Sequence, residues 1–201
     1  MVAVAGLGAS IAEGRIGSDI PTRSSSRGER HPRALPFDPV DVIRTYLEIT
    51  DPAHIRPARP PGVEADIARV DPPHGPTSRW FYEHVGRDYH WTDNLGRTDA
   101  EWQQWADRVE TWIATVEGDD AGYYELRPEA GTSVEIAYFG LLPHAQGQGL
   151  GGHLLTHALR RAFALAPRAW VHTCTLDGPH ALPNYRARGL RPFRTEVVGH
   201  R

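Results

Sequence analysis

The chain has 201 residues and a formal net charge of −3 at pH 7. That is enough for one domain with a sizeable core, and too little positive charge for a general polyanion partner such as nucleic acid. No run of about 18 apolar residues is present to cross a membrane, and the single cysteine, Cys174, excludes an internal disulfide and a cysteine zinc cluster and accords with a reducing, cytoplasmic home.

Residues 1–35 read as a disordered N-terminal tail, with few large apolar groups in SDIPTRSSSRGERHPR. The glycines of Val4 to Ser10 faintly suggest a dinucleotide turn, but no strand precedes them. Nor does a positive leader precede an apolar core, as in a signal peptide. A flexible leader or an upstream start is the better reading. The folded domain is expected over residues 36–201. Val42 to Ile49 mixes strand and short-helix signals and is read as a strand. HIRPARPPG is a loop, and Ala65 to Val70 is a short strand closed by Asp71-Pro72-Pro73.

Pro76 to Ala106 carries Trp80, Phe81, Tyr82, Tyr89, Trp91, Trp102 and Trp105. Two short helices are predicted here. Thr77 caps the first and Gly86 ends it; Thr98-Asp99-Ala100-Glu101 reads as a capping box for the second. Most of these aromatics read as core. Tyr89, His90, Trp91 and Asp93, between the helices, are the exceptions and could form an aromatic, partly acidic lip for a cationic amine.

Arg108 to Val116 and Ala121 to Arg127 form a predicted hairpin around Glu117-Gly118-Asp119-Asp120. After a loop at Pro128 to Gly131, Ser133 to Leu142 has the branched and aromatic content of a buried strand, and Pro143 stops it. A glycine loop, Gln146 to Gly152, leads into a helix with an apolar stripe at Leu150, Leu154, Leu155, Ala158, Leu159, Ala162 and Phe163. Arg160, Arg161 and Arg168 suit its C-terminal dipole, and Pro167 ends it. Ala169 to Leu176 is a strand, and the helical crossover makes it parallel to the one before. Asp177-Gly178-Pro179 opens a short helix that carries Asn184 and Tyr185 and closes at Gly189; Leu190 to Gly199 supplies the last strand or strands.

Strand, glycine turn and helix N-terminus make an anion site, because the first helical amides lack partners and glycine lets a phosphate approach. The other reading is a tight turn that uses glycine only for its dihedrals. Gly151-Gly152-His153 stands where a P-loop needs Gly-Lys-Ser/Thr, and the dinucleotide pattern is absent. His153 and His157 are four apart but have no third ligand, so they read as a wetted helix face and no metal is expected. Cys174 reads as a small buried residue rather than a nucleophile; His172 and Thr173 are read equally as site or packing residues.

Gln146-Gly147-Gln148-Gly149-Leu150-Gly151 resembles the Gln/Arg-x-x-Gly-x-Gly/Ala loop of the GCN5-related N-acetyltransferases (GNAT family), and the order of elements from Val42 onward is similar to that family's. Ala181, Tyr185 and Gly189 resemble its second motif, Ala-x-x-x-Tyr-x-x-x-Gly-Phe. Leu190 departs from the phenylalanine, whose volume Phe193 is expected to fill. Gly178 stands where many members have asparagine, and Pro183 removes a donor inside a very short helix, which leaves the aim of Tyr185 open.

The resemblance implies an α/β (α+β) acyl-CoA acyltransferase fold, with a mixed central sheet, splayed parallel strands and flanking helices. It implies acetyl-CoA as acyl-donor cosubstrate, its pyrophosphate on Gln146, Gly147, Gln148, Gly149, Leu150, Gly151 and Gly152, and its pantetheine along Phe139 and Leu141. It makes Glu135 the candidate base and Tyr185 the candidate acid, with Tyr89, Trp91 and Asp93 on the acceptor side. A solvent-facing or ion-paired role for Glu135 stays open. The function implied is transfer of acetyl to a small-molecule or peptide amine by direct attack, with pairing of two copies through the final strands. The alternative is a non-catalytic acyl-CoA-binding or regulatory module of the same fold.

Overall fold

A computed structural model describes Val2, Ala3 and residues 41–199. Apart from Val2 and Ala3, the expected tail and the glycines near residue 6 lie outside the described residues. The described elements are β1 (Val2–Ala3), β2 (Val42–Ile49), β3 (Ala65–Arg69), α1 (Gly75–Gly86), α2 (Asp99–Ala106), β4 (Glu110–Val116), β5 (Asp119–Glu129), β6 (Ser133–Leu141), α3 (Leu150–Phe163), β7 (Ala169–Cys174), α4 (Ala181–Ala187) and β8 (Arg191–Val198).

The strands form one mixed sheet in the order β3-β4-β5-β6-β7-β2-β8, with β1 added to β6. All described pairings are antiparallel except β6 with β7, where the α3 crossover makes them parallel. The early strand β2 is placed between β7 and β8, antiparallel to both. The β4–β5 turn is tighter than expected. Glu117 (φ 55°) and Gly118 (φ 89°) alone make it, and Asp119 and Asp120 join the strand.

Helices cover both faces. On one, Val134, Ile136, Phe139 and Leu141 of β6 pack with Leu150, Leu154, Leu155, Ala158, Leu159 and Ala162 of α3, joined by Tyr185 and Leu190. The predicted stripe is therefore the buried face of α3, and each large side chain in it contributes about 1.5–3 kcal/mol of transfer free energy. On the other face, Tyr123, Tyr138 and Leu142 pack with Phe81, Tyr82, Val85, Trp91 and Trp102 from the α1–α2 layer.

Four local expectations change. His74, not Thr77, is the N-cap of α1; Pro76 is the second helical residue, and the Thr77 hydroxyl meets His74 Nδ1 at 2.7 Å. Gly86 is the last residue of α1 but does not turn the chain. A 3-10 turn at Arg87–Tyr89 continues it to His90, which takes the left-handed stop (φ 59°). Phe193 lies 46% exposed on β8, while Leu190 itself fills the core position. Pro183 sits in the first turn of α4, where a missing N–H costs no helical bond. The Thr98–Glu101 capping box is present in both directions.

Candidate active site

The site begins with a bulge. Tyr138 pairs with Glu125 and Ile136 with Leu126, so Ala137 is an extra residue on β6. Beside it, β6 and β7 pair only at Val134/Ala169 and Glu135/Trp170. Beyond Glu135 they part, and β7 continues against β2 alone. The edge of β6 from Ile136 onward is therefore left by β7, as a slot for extended backbone. Val2 and Ala3 pair into it, opposite Gly140 and Phe139. The side chains of Phe139 and Leu141 are buried under α3, which leaves only their backbone to the slot.

At the outer end of the slot, Gly147 (φ 81°) and Gly149 (φ 80°) adopt the left-handed conformation, and Gly149 caps α3 without a side chain. Among the described residues, none of the amides from Gly147 to Gly151 donates to a loop, a strand or a side chain. The neighbouring carbonyls are taken: Asn184 Nδ2 donates to Gly151 O at 3.3 Å, and Thr156 Oγ1 to Gly152 O at 2.8 Å. A Cβ added at Gly149 would meet only Pro61 Cα, at 3.6 Å. Bare amides at the start of a 14-residue helix, with room in front of them, fit a diphosphate. Gln146 and Gln148 turn their side-chain amides inward, to Leu141 O and Tyr89 Oη (both 3.4 Å) and to His144 O (3.1 Å).

Glu135 stands at the apex, where the strands part, and is 3% exposed. It faces Arg127, its cross-strand partner, in an ion pair, and lies 3.8 Å from His172 Nε2. Burial lifts its carboxyl to about 7 against the pull of Arg127. Burial, with Arg44 and Arg127 nearby, pushes His172 down to about 3, so its imidazole is neutral and no ion pair with Glu135 forms. A carboxyl titrating near neutrality where two parallel strands part has the properties of a general base.

Tyr185, on α4, is fully buried, its ring 6.2 Å from that of Phe139. Its hydroxyl is buried without a partner, and burial, then the charge of Asp177, raises it well above its ordinary value. It therefore remains a phenol, able to donate a hydrogen bond. Asp177 is lifted to about 6 by burial, and accepts bonds from Thr173 Oγ1 (2.5 Å) and the Cys174 amide (2.9 Å).

Tyr89 bridges the mouth: its hydroxyl accepts from Gln146, and its ring lies 3.0 Å from where a Cβ on Gly178 would stand. A side chain at Gly178 would press on that ring. Trp91 is 3% exposed, seated on Gly86 and 5.3 Å and 5.5 Å from the rings of Tyr82 and Tyr138, which makes it a core residue. Asp93 is exposed, in a turn beyond it. His157 is half buried and bonds Tyr124 Oη at 2.8 Å, and Cys174, half buried, has its thiol pushed up by burial. Among the described residues no group of three or more metal-ligating side chains occurs, and no helix is long and apolar enough to cross a membrane. Sequence reasoning missed Arg127, and only the β5–β6 register, with the bulge counted, would have placed it opposite Glu135.

A parallel pair that splays at a bulge, with a glycine loop and helix N-terminus at its mouth, defines the acyl-CoA acyltransferase class of fold. The description "Acetyltransferase (GNAT) family" matches residues 79–190, more than half of the chain, and the chain belongs to that family. Solved structures similar to it include a GCN5-related N-acetyltransferase from Kribbella flavida (21% identity, TM-score 0.55, 78% of this chain and 57% of that one). A second, from Sphaerobacter thermophilus, has 16% identity and a TM-score of 0.58 over 81% of this chain and 51% of that one. The chain thus spans 51–57% of the length of these two structures, and at such identities the likeness is one of fold. No curated protein matches it.

Proposed function

We propose that the protein is an N-acetyltransferase that moves the acetyl group of acetyl-CoA directly onto an amine. One observation carries this reading: a buried carboxyl near neutrality sits where the parallel strands part, at the inner end of a slot whose outer end presents bare amides. Acetyl-CoA supplies an acyl group activated as a thioester. The amides of Gly147 to Gly151 would hold its diphosphate, with Gln146, Gln148 and Gly152 shaping the loop, and the β6 backbone at Phe139 and Leu141 would align its pantetheine.

An amine with a pKa near 10 is mostly protonated at pH 7. Glu135 takes its proton, and the free nitrogen attacks the carbonyl carbon. A backbone N–H of β6 near Phe139 faces the oxygen as charge gathers on it. The C–N bond forms and the C–S bond breaks, the Tyr185 hydroxyl donates a hydrogen bond to the departing thiolate, and the second proton shed by the nitrogen ends on that sulfur as the free thiol. With its own affinity for protons so high, Tyr185 stabilises a thiolate (free thiol pKa about 8.5) more readily than it ionises. Tyr89 lies at the mouth, and Asp93 offers an exposed charge outside it. A cytoplasmic setting accords with the lone cysteine. Pairing of two copies through β8 belongs to the same reading: this outermost strand exposes Phe193 and Val197.

The rival reading, a non-catalytic acyl-CoA-binding module, has one observation in its favour, that Arg127 already holds Glu135. Thiol release from acetyl-CoA across a panel of amines separates the two. Acceptor-dependent release supports the enzyme; cofactor binding with no release on any amine supports the module.

A further inference from the structure

Arg188 follows α4 and lays its guanidinium on the first turn of α3, where Nη1 occupies the space that a Cβ on Gly152 would need. Its backbone is fixed there. Its N–H donates to the carbonyls of Asn184 (3.1 Å) and Tyr185 (3.2 Å), and its own carbonyl accepts from Arg56 N at 3.1 Å. From the other side, the segment 56–62 straps the same turn. Ala58 N donates to Thr156 Oγ1 at 3.1 Å, and Gly62 N to Gln148 O at 3.1 Å. Ala58 Cβ lies 2.9 Å from the same vacant Gly152 Cβ position.

Among the described residues this cation has no counter-ion. Arg161 pairs with Glu110, Arg168 with Glu48 and Arg79 with Glu83, but among the described residues no carboxylate reaches Arg188. Its Nε is buried and bonds nothing. Burial pulls its pKa down with no acid to restore it. Partly desolvating an unpaired guanidinium is unfavourable, and its planar fork matches phosphate oxygens.

We infer that Arg188 is a phosphate-binding residue for the nucleotide end of the acyl donor, and that Gly152 is glycine to admit it. The inference rests on the acyl-CoA reading above. It makes the site selective for phosphorylated donors, with one fixed positive charge beside the neutral amides.

The test measures Kd and kcat/KM of the full chain for acetyl-CoA, acetyl-3′-dephospho-CoA and acetyl-pantetheine, in the wild type and in Arg188→Met, Arg188→Lys and Gly152→Ala. Melting temperatures report whether each variant folds. Arg188→Met should weaken acetyl-CoA by roughly tenfold to a hundredfold, as expected for a charge-assisted bond, and leave acetyl-pantetheine unchanged. Arg188→Lys should restore part of the loss, and Gly152→Ala should imitate Arg188→Met and add little to it. An equal loss on acetyl-3′-dephospho-CoA assigns the contact to the diphosphate; no loss there assigns it to the 3′-phosphate. A folded Arg188→Met that binds acetyl-CoA like the wild type overturns the inference, as does an equal loss on acetyl-pantetheine. A wild type that binds no acetyl-CoA overturns the acyl-CoA reading and this inference with it.

Discussion

Replacing Glu135 with glutamine keeps the shape and removes the titration, so it separates two consequences of one buried carboxyl. The first is kinetic. At about 7, the group is half ionised at neutral pH. The wild-type kcat/KM should therefore fall about tenfold for each pH unit below 6.5, and Glu135→Gln should lose about 10²–10⁴-fold with the KM for acetyl-CoA little changed. The second is thermodynamic. The carboxyl rises from 4.5 to about 7 on folding, so the folded state holds the proton more tightly. Stability from this group is full below about 4.5 and is lost as the pH climbs through about 7, a difference of about 3 kcal/mol at most. Glutamine has no such loss. The melting temperature of Glu135→Gln relative to wild type should rise between pH 5 and pH 8, since the value of about 7 already includes the pull of Arg127. Thiol release and thermal melts across that range read both effects. Activity within threefold of wild type and an unchanged acid limb would refute the base; parallel melting curves would refute the burial argument.

Arg127→Met removes the charge that draws Glu135 down, so the acid limb of kcat/KM should move to higher pH; a limb that stays or moves lower contradicts the pairing. Gly149→Glu places a side chain and a negative charge at a left-handed residue on the proposed diphosphate site, and should abolish acetyl-CoA binding by calorimetry in a folded protein. Tyr185→Phe removes only a hydroxyl that bonds no protein group, so it should fold normally and lower kcat by roughly 10²-fold, with unchanged acetyl-CoA affinity. Trp91→Ala should cost about 3–5 kcal/mol by chemical denaturation through the cavity it leaves, whatever its effect on turnover.

What the sequence showed about this fold is what local periodicity can carry. The α3 stripe, the capping box at Thr98 and the hairpin at Glu117-Gly118 are each set by residues a few positions apart. The position of β2 between β7 and β8 is not, because that pairing closes a loop of more than a hundred residues and leaves no local mark. The aromatic composition of residues 76–106 announced a packed layer but not which rings face it, so Trp91 could not be told from a lip residue. Gly152 read as part of a phosphate turn, yet its φ is unexceptional and its constraint comes from Ala58 and Arg188, both far along the chain. Arg127 is hidden for a related reason: Ala137 looks like any small strand residue, and miscounting it by one moves every cross-strand partner.

That one extra residue also accounts for the geometry of the proposed reaction. Without a bulge, Glu135 and Phe139, four apart on a strand, would share a face. With Ala137 added, Val134 and Ile136 line up with Phe139 and Leu141 under α3, while Glu135 joins the face of Tyr138 and the α1–α2 layer. The proposed base and the donor-side aromatics thus lie on opposite sides of a single strand, and the edge that β7 leaves passes between them. In the reading proposed here, the amine approaches from the α1–α2 side and the thioester from the α3 side, and they meet at that edge. A bulge that both parts the strands and reverses the facing of their side chains explains why the slot and the carboxyl occur at the same place.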